Sequence, residues 1–279
     1  MRWLLLFLAL VAAAIPSRAV VEEPSVATWN IRNLGIVDRF EEGRYRLAYP
    51  MPESRKQSVR QLLLMERPTI LFLQEVGSPA FLEELRLDLA AEGLVYTDFA
   101  FSGHPDSRTG LAVLSQIALA EVVFHQPGPI RRGVQEVALC INGTRYRFFH
   151  IHLKSRYSTD PEDPDAFQER QAGVLALAEF LQFQSERRPA ATLALLGDFN
   201  TPFHDPLLDP LLEFWQPLPA ADGAGQIWTY FHFRSGSRER LDGFWSPRSQ
   251  PPPLLPAQVL PMTDCPSDHR LLIAPLFFP

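Results

Sequence analysis

Two cysteines in 279 residues cannot build a disulfide framework. Neither Cys-x-x-Cys nor His-Glu-x-x-His occurs, so the common zinc sites lack a ligand set. No segment supplies the roughly 20 successive apolar residues of a membrane-spanning helix, and no unit repeats at the period of a solenoid. Excess positive charge is missing too: the formal net charge is −6, and an acidic chain does not coat nucleic acid through bulk electrostatics. What is there is a chain with 46% hydrophobic and 21% charged residues, enough apolar material for one large α/β or β-sandwich domain.

The apolar run from Trp3 to Ile15 follows Arg2 and precedes Pro16-Ser17-Arg18-Ala19. A charged start, a short apolar stretch and small residues before a cut after Ala19 are the marks of an export signal. Residues 1–19 are therefore read as a signal peptide and 20–279 as one domain, periplasmic or extracellular. Losing Arg2 and Arg18 takes the net charge from −6 to about −8.

Beyond the signal, "SVATWNI" (25–31) and "PTILFLQEV" (68–76) read as strands, the second apolar on both faces and so buried in a sheet. "ESRKQSVRQLLLMER" (53–67) and "SPAFLEELRLDLAAEG" (78–93) read as helices, the latter with Ser78 as N-cap, Pro79 at its first position and Gly93 as stop. "LVYTDFAF", "GLAVLS", "IALAEVVFH", "VQEVALCI" and "RYRFFHIHL" follow as strands, the last two joined by an Asn142-Gly143 hairpin. A long amphipathic helix (164–187) precedes the buried strand "TLALLGDF" (192–199), and "IWTYFHF", "RLDGFWS" and "RLLIAPLFF" close the chain. The proline-rich "SPRSQPPPLLPAQVLP" reads as a stiff surface connection. Two packed sheets with helices outside are expected. The hairpin puts Cys140 about 20 Å from the end of the strand that carries His152. Cys265 belongs near that end, so both thiols are expected to be free.

Several buried strands end in residues that a plain core would not choose. Asn30, Glu75, Asp198 and Asn200 each sit where an apolar run stops, the place where open α/β sheets put their ligand sites. Glu75, Asp198 and Asp268 offer oxygens that suit a hard cation, Mg²⁺ or Ca²⁺. In "FFHIHLKSR" a period of two places His150, His152 and Lys154 on one face. Lys154 as a point charge and Arg156 as a planar fork suit a phosphate. Ser267-Asp268-His269, just before the last strand, reads either as a polar cap or as a metal carboxylate beside a proton-handling imidazole.

In order, "TWNI", "LFLQEV", "RTGLAVLS", "HIHLKSR", "LLGDFNTP", "RLDGFW" and "SDHRLL" resemble the motifs of the endonuclease/exonuclease/phosphatase superfamily. The pancreatic deoxyribonuclease fold is its type, and this chain resembles an exported, bacterial-type member. The resemblance implies a four-layer α/β sandwich: two packed mixed β-sheets flanked by helices. It implies Glu75 as principal metal ligand, with Asp268 and Asn30 at the metal site. His152 is then the histidine that holds the scissile phosphate, and Asp198 and Asn200 the pair around the attacking water. Asp242 orients His269, the catalytic imidazole. Lys154, Arg156 and Arg108 are expected to bind substrate phosphate, with Mg²⁺, Mn²⁺ or Ca²⁺ as cofactor.

Departures from branch patterns narrow the substrate. "GDFNTPF" and "RERLDGFW" differ from the segments of inositol-phosphate phosphatases, and "HIHLKSRY" from that of abasic-site endonucleases. No long apolar hairpin of the sphingomyelinase kind is legible, and "LLDPLLEFW" reads as a short core helix. A metal-dependent phosphodiesterase is expected, acting on nucleic acid as a monomer without a membrane anchor. The alternatives are a phosphatase or phospholipid phosphodiesterase, or an inactive extracellular binding module.

Overall fold

The computed structural model describes residues 24–104, 107–262 and 265–277, so the signal read at 1–19 lies outside the described residues. The chain opens with β1 (Ser25–Leu34), an outlying hairpin of β2 (Ile36–Glu41) and β3 (Arg44–Pro50), then α1 (Glu53–Glu66), β4 (Ile70–Val76) and α2 (Pro79–Ala91). Five strands follow: β5 (Asp98–Ser102), β6 (Gly110–Ser115), β7 (Leu119–His125), β8 (Val134–Ile141) and β9 (Thr144–His152). Next come α3 (Phe167–Arg187), β10 (Thr192–Asp198), the one-turn α4 (Asp209–Leu212), β11 (Trp215–Pro217) and β12 (Ala220–Ala221). A small hairpin of β13 (Tyr230–Phe231) and β14 (Arg238–Glu239) precedes β15 (Asp242–Pro247), β16 (Ala257–Val259) and β17 (Leu272–Pro275).

The strands form two mixed sheets, ordered β12-β16-β17-β1-β4-β6-β5 and β11-β15-β10-β9-β8-β7. Val26, Phe72, Phe148, Leu196, Phe244 and Leu272 fill the space between them. Their chain neighbours point the other way: Ala27, Leu71 and Leu73 pack under α1 and α2, and Phe149, Leu193 and Leu195 under α3 and α4. This is the four-layer sandwich, and the period-two alternation of each strand builds it. Burying such faces at about 25 cal/mol per Å² of apolar surface is the dominant stabilising term.

Asn142 and Gly143 take φ of 50° and 83° between paired Ile141 and Thr144, the tight turn expected of them. Cys140 faces Arg145 across that hairpin, seven residues before His152. Both cysteines are free. One element has no counterpart in the sequence reading, and one reading needs correction. The β2–β3 hairpin was not legible, because its exposed Phe40, Tyr45 and Leu47 serve no core. The proline-rich stretch is more than a surface connection: Leu254, Ala257 and Val259 are buried, and β16 pairs with β17. Ser78 stands at the N-cap of α2 and Pro79 in its first turn, as expected, without a capping hydrogen bond from the serine side chain.

Gly197 joins the fold to the site. Its φ is 132°, and a Cβ there would lie 2.1 Å from the Ile151 carbonyl oxygen on the adjacent β9. Only glycine lets β10 approach β9 this closely one residue before Asp198. Gly197→Ala is expected to lower stability by roughly 2–4 kcal/mol, from strained backbone and overpacking together. Urea unfolding checks it: a midpoint within experimental error of wild type would show that β10 relaxes freely.

Candidate active site

β1 and β4 are parallel neighbours, as are β9 and β10, and the register sets Asn30 beside Gln74 and His152 beside Asp198. The carboxyl ends of these four strands therefore meet at one edge of the sandwich. β15 runs antiparallel to β10 and begins there, with Asp242 opposite Asp198. The segment before β17 brings His269, which bridges to Tyr230. A cleft of about 580 Å³ opens at this edge, lined by Asn30, Glu75, His152, Asp198, Asp268 and His269 among others.

Glu75 reaches the cleft by a break in strand geometry. Leu71 and Leu73 face the helices, so strict alternation would send Glu75 the same way. Instead it takes φ of 65°, and the register slips there against both neighbouring strands. Such a bulge re-aims one side chain. Asn30 binds the result together: its amide donates to Glu75 Oε1 at 3.2 Å and to Asp198 Oδ2 at 2.9 Å. Its own oxygen accepts from the Arg32 backbone at 3.0 Å. Asn30, expected as a metal ligand, thus stands as a bridge between two carboxylates.

Asp198 is fully buried. The backbone N–H of Asn200 donates to its Oδ1 at 2.8 Å, while His152 Nε2 and His269 Nε2 lie 3.4 and 3.8 Å from its Oδ2. Burial pushes this carboxyl up to about 7, against the pull of His269. His269 donates from Nδ1 to Asp242 Oδ2 at 2.8 Å, and Thr229 Oγ1 donates to the same oxygen at 2.7 Å. Desolvation disfavours the imidazolium, but Asp242 and Asp198 together outweigh it and push His269 up to about 10. His152 is held well below its ordinary value by burial and by the nearby Arg132. The pair of histidines is thereby split, one charged and one neutral at neutral pH.

Oxygen donors suited to a hard cation are present. The Glu75 and Asp268 side chains are each 20% exposed at the cleft, the most accessible carboxylates of the cluster. Asp198, Asp242 and His269 also lie close enough to share an ion. Their ligand atoms, however, already hold one another: Asp242 Oδ2 accepts two hydrogen bonds, and the His269 Nδ1 proton occupies one of them. The chemistry of the donors therefore favours Glu75. Asp268 lies 3.5 Å from Arg32 Nε, so it balances that guanidinium as well.

The expected phosphate-binding cations divide. Arg156 lines the cleft and pairs with Glu239. Lys154 donates to the carbonyls of Ser155 and Tyr157 and, with Arg108, lines a neighbouring cavity instead. Asn200 turns its side-chain amide to the Leu153 carbonyl at 2.9 Å. Thr229, Tyr230 and Arg32 were not singled out in the sequence. Tyr230 lays its ring 4.8 Å from that of His269, and nothing in "IWTYFHF" distinguishes it from a core aromatic. The inward face of β9 is buried: His150 contacts Gln135 and Gln74 between the sheets, and desolvation lowers it to about 3.

Comparison with solved structures places the same fold in distant chains. Truncated TDP2 of Caenorhabditis elegans is 22% identical, covering 92% of this chain and 98% of that one, with a TM-score of 0.62. Beta toxin 275–280 of Staphylococcus aureus is 15% identical over 90% and 99%, with a TM-score of 0.67. The human Nocturnin catalytic domain with bound sulfate is 19% identical over 92% and 95%, with a TM-score of 0.62. No curated protein matches the sequence. Residues 27–269 match the Endonuclease/Exonuclease/phosphatase family, a span that begins in β1 and ends on His269, and the chain belongs to that family of metal-dependent phosphoric ester hydrolases.

Proposed function

We propose that the protein is a metal-dependent phosphodiesterase acting on nucleic acid, with Asp198 as the base that activates water. The observation that carries this is geometric: the Asp198 carboxyl is buried in the cleft lining, 3.8 Å from the imidazole that Asp242 holds, and burial raises it above the ordinary carboxylate range. A general base works best with a value near the operating pH. Asp198 takes a proton from water, the water oxygen bonds to phosphorus, and the ester P–O bond opposite breaks. The leaving alkoxide takes its proton from solvent in the open cleft. Positive charge on His269 offsets the charge that builds on the phosphoryl oxygens, and Asp242 positions it. His152, neutral, offers an N–H where a phosphoryl oxygen would sit. A divalent cation held by Glu75, with Asp268 beside it, would supply neutralisation of phosphate charge.

Nucleic acid is favoured over lipid because Arg32, Arg132 and Arg156 rim the cleft with Tyr157 and Tyr230. Guanidinium groups and aromatic faces suit a polyanion with stacked bases. EDTA is expected to abolish hydrolysis of plasmid DNA or RNA, and Mg²⁺ or Mn²⁺ to restore it. Full turnover in chelator would sink the metal assignment, and turnover of phospholipid alone would sink the nuclease reading. We also propose export, on the charge and apolar pattern of residues 1–19. The mature protein should begin at Val20 by mass spectrometry, and an intact Met1 in the exported fraction would refute this.

A further inference from the structure

The catalytic cleft runs on, past His152, Arg132 and Tyr157, into a second cavity of about 980 Å³. Five cations line it: Arg108, Arg131, Arg132, Lys154 and Arg170. Among the described residues its two acidic side chains are already engaged, Asp38 with Arg108 at 3.7 Å and Glu169 with Arg131 at 3.3 Å. Arg170, on the first turns of α3, is only 6% exposed. It donates to Thr201 Oγ1 at 2.9 Å, its nearest carboxylate, on Asp205, is 4.0 Å away, and its Nε is buried without an acceptor. Arg132, at the junction, likewise has a buried Nε without an acceptor. Burying a guanidinium with N–H groups unmatched is costly, and neither hydrolysis at Asp198 nor the packing of α3 calls for it.

One turn on from Arg170, Gly173 is buried, yet a Cβ built there meets nothing within 4 Å. Alanine would make the better helix at that position. Glycine leaves the floor of the cavity open.

We propose that this cavity binds a second phosphoryl group of the substrate, with Arg170 and Arg132 as its ligands. This rests on the phosphodiesterase reading and narrows it: the substrate carries two phosphates, one held at Asp198 and His269 and the other beyond His152. A choline headgroup, itself a cation, is repelled by the same lining. The second phosphate has two sources, the next diester of a nucleotide chain or a terminal phosphate on a small ester.

The test uses the mature protein with Mg²⁺ and a series of substrates. These are bis(p-nitrophenyl) phosphate, dithymidylate without a terminal phosphate, the same dinucleotide phosphorylated at its 5′ or its 3′ end, and trithymidylate. One of the phosphorylated dinucleotides is expected to have kcat/KM at least tenfold above the unphosphorylated one. A matching gain for trithymidylate identifies a nucleotide chain, and a gain restricted to the terminal phosphate identifies a small bisphosphorylated ester. Gly173→Glu, which sets a carboxylate in the cavity without removing a cation, should shrink the gain to within threefold, as should Arg170→Gln. If Arg170→Gln melts early, Gly173→Glu on the helix carries the comparison. Equal kcat/KM across the dinucleotide series, or a gain that survives Gly173→Glu, overturns the subsite. No hydrolysis of any member, bis(p-nitrophenyl) phosphate included, overturns the diesterase reading instead.

Discussion

Asp198→Asn is expected to lower kcat by roughly 10³–10⁴-fold, the upper part of the range for loss of a positioned base. The substitution keeps the shape of the side chain, and its one oxygen can still accept from the Asn200 backbone, but an NH2 then replaces the oxygen that accepts from Asn30. What it removes is the proton acceptor. Stability should fall by the roughly 1–3 kcal/mol of one unmatched buried donor, with the folded state retained, while turnover collapses. A loss below about tenfold would mean that the water proton goes to a group other than Asp198. The pH profile gives a second readout. Asp198 acts as carboxylate, and burial raises it to about 7 before a cation binds, so the metal-loaded enzyme should show an acidic limb along which activity rises with pH. A cation at Glu75 favours the ionised form and moves that limb down. In Asp198→Asn the acidic limb should vanish.

The sandwich was legible because alternation alone specifies it. Val26, Phe72 and Leu196 on one parity and Ala27, Leu71 and Leu195 on the other need no structure to sort them. Where a strand obeys its period, sequence also predicts the site: Asn30, His152, Asp198 and Asp242 lie on the inner face, in register. Glu75 breaks its period, and only the motif around it pointed into the cleft. No local rule announces that a glutamate will adopt φ of 65°, because the surrounding sheet imposes that conformation. Thr229 and Tyr230 were invisible for a different reason. Their roles depend on contacts with Asp242 and His269, across 13 and 39 positions of chain. The β2–β3 hairpin was missed since its apolar residues face solvent and therefore have no core pattern to match. Lys154 shows the limit of charge reading: sequence puts it on one face with His152, yet backbone carbonyls of its own loop hold it in the lining of the second cavity and not in that of the catalytic cleft.

His269→Ala should cost roughly 10³–10⁴-fold in kcat/KM, and Asp242→Asn nearly as much, because the substituted side chain presents an amide to an imidazole that needs a carboxylate. Asp242 touches no substrate. It acts through His269, fixing the Nδ1–H tautomer with Thr229 as a further donor to the same oxygen. The double variant is therefore expected to be no more than about threefold worse than His269→Ala, since two residues that act as a unit do not lose activity independently. Multiplying losses would show separate roles. A merely structural Asp242 would lower activity without moving the pH profile, which makes the alkaline limb decisive. Asp242 and Asp198 raise His269 to about 10 against desolvation, so the imidazolium persists through neutral pH, and activity should fall only as that proton is lost. With Asp242→Asn the first of those two charges is gone, and the alkaline limb should move down by more than the acidic limb does. An alkaline limb that stays in place would place the charge that stabilises the transition state on a group other than His269.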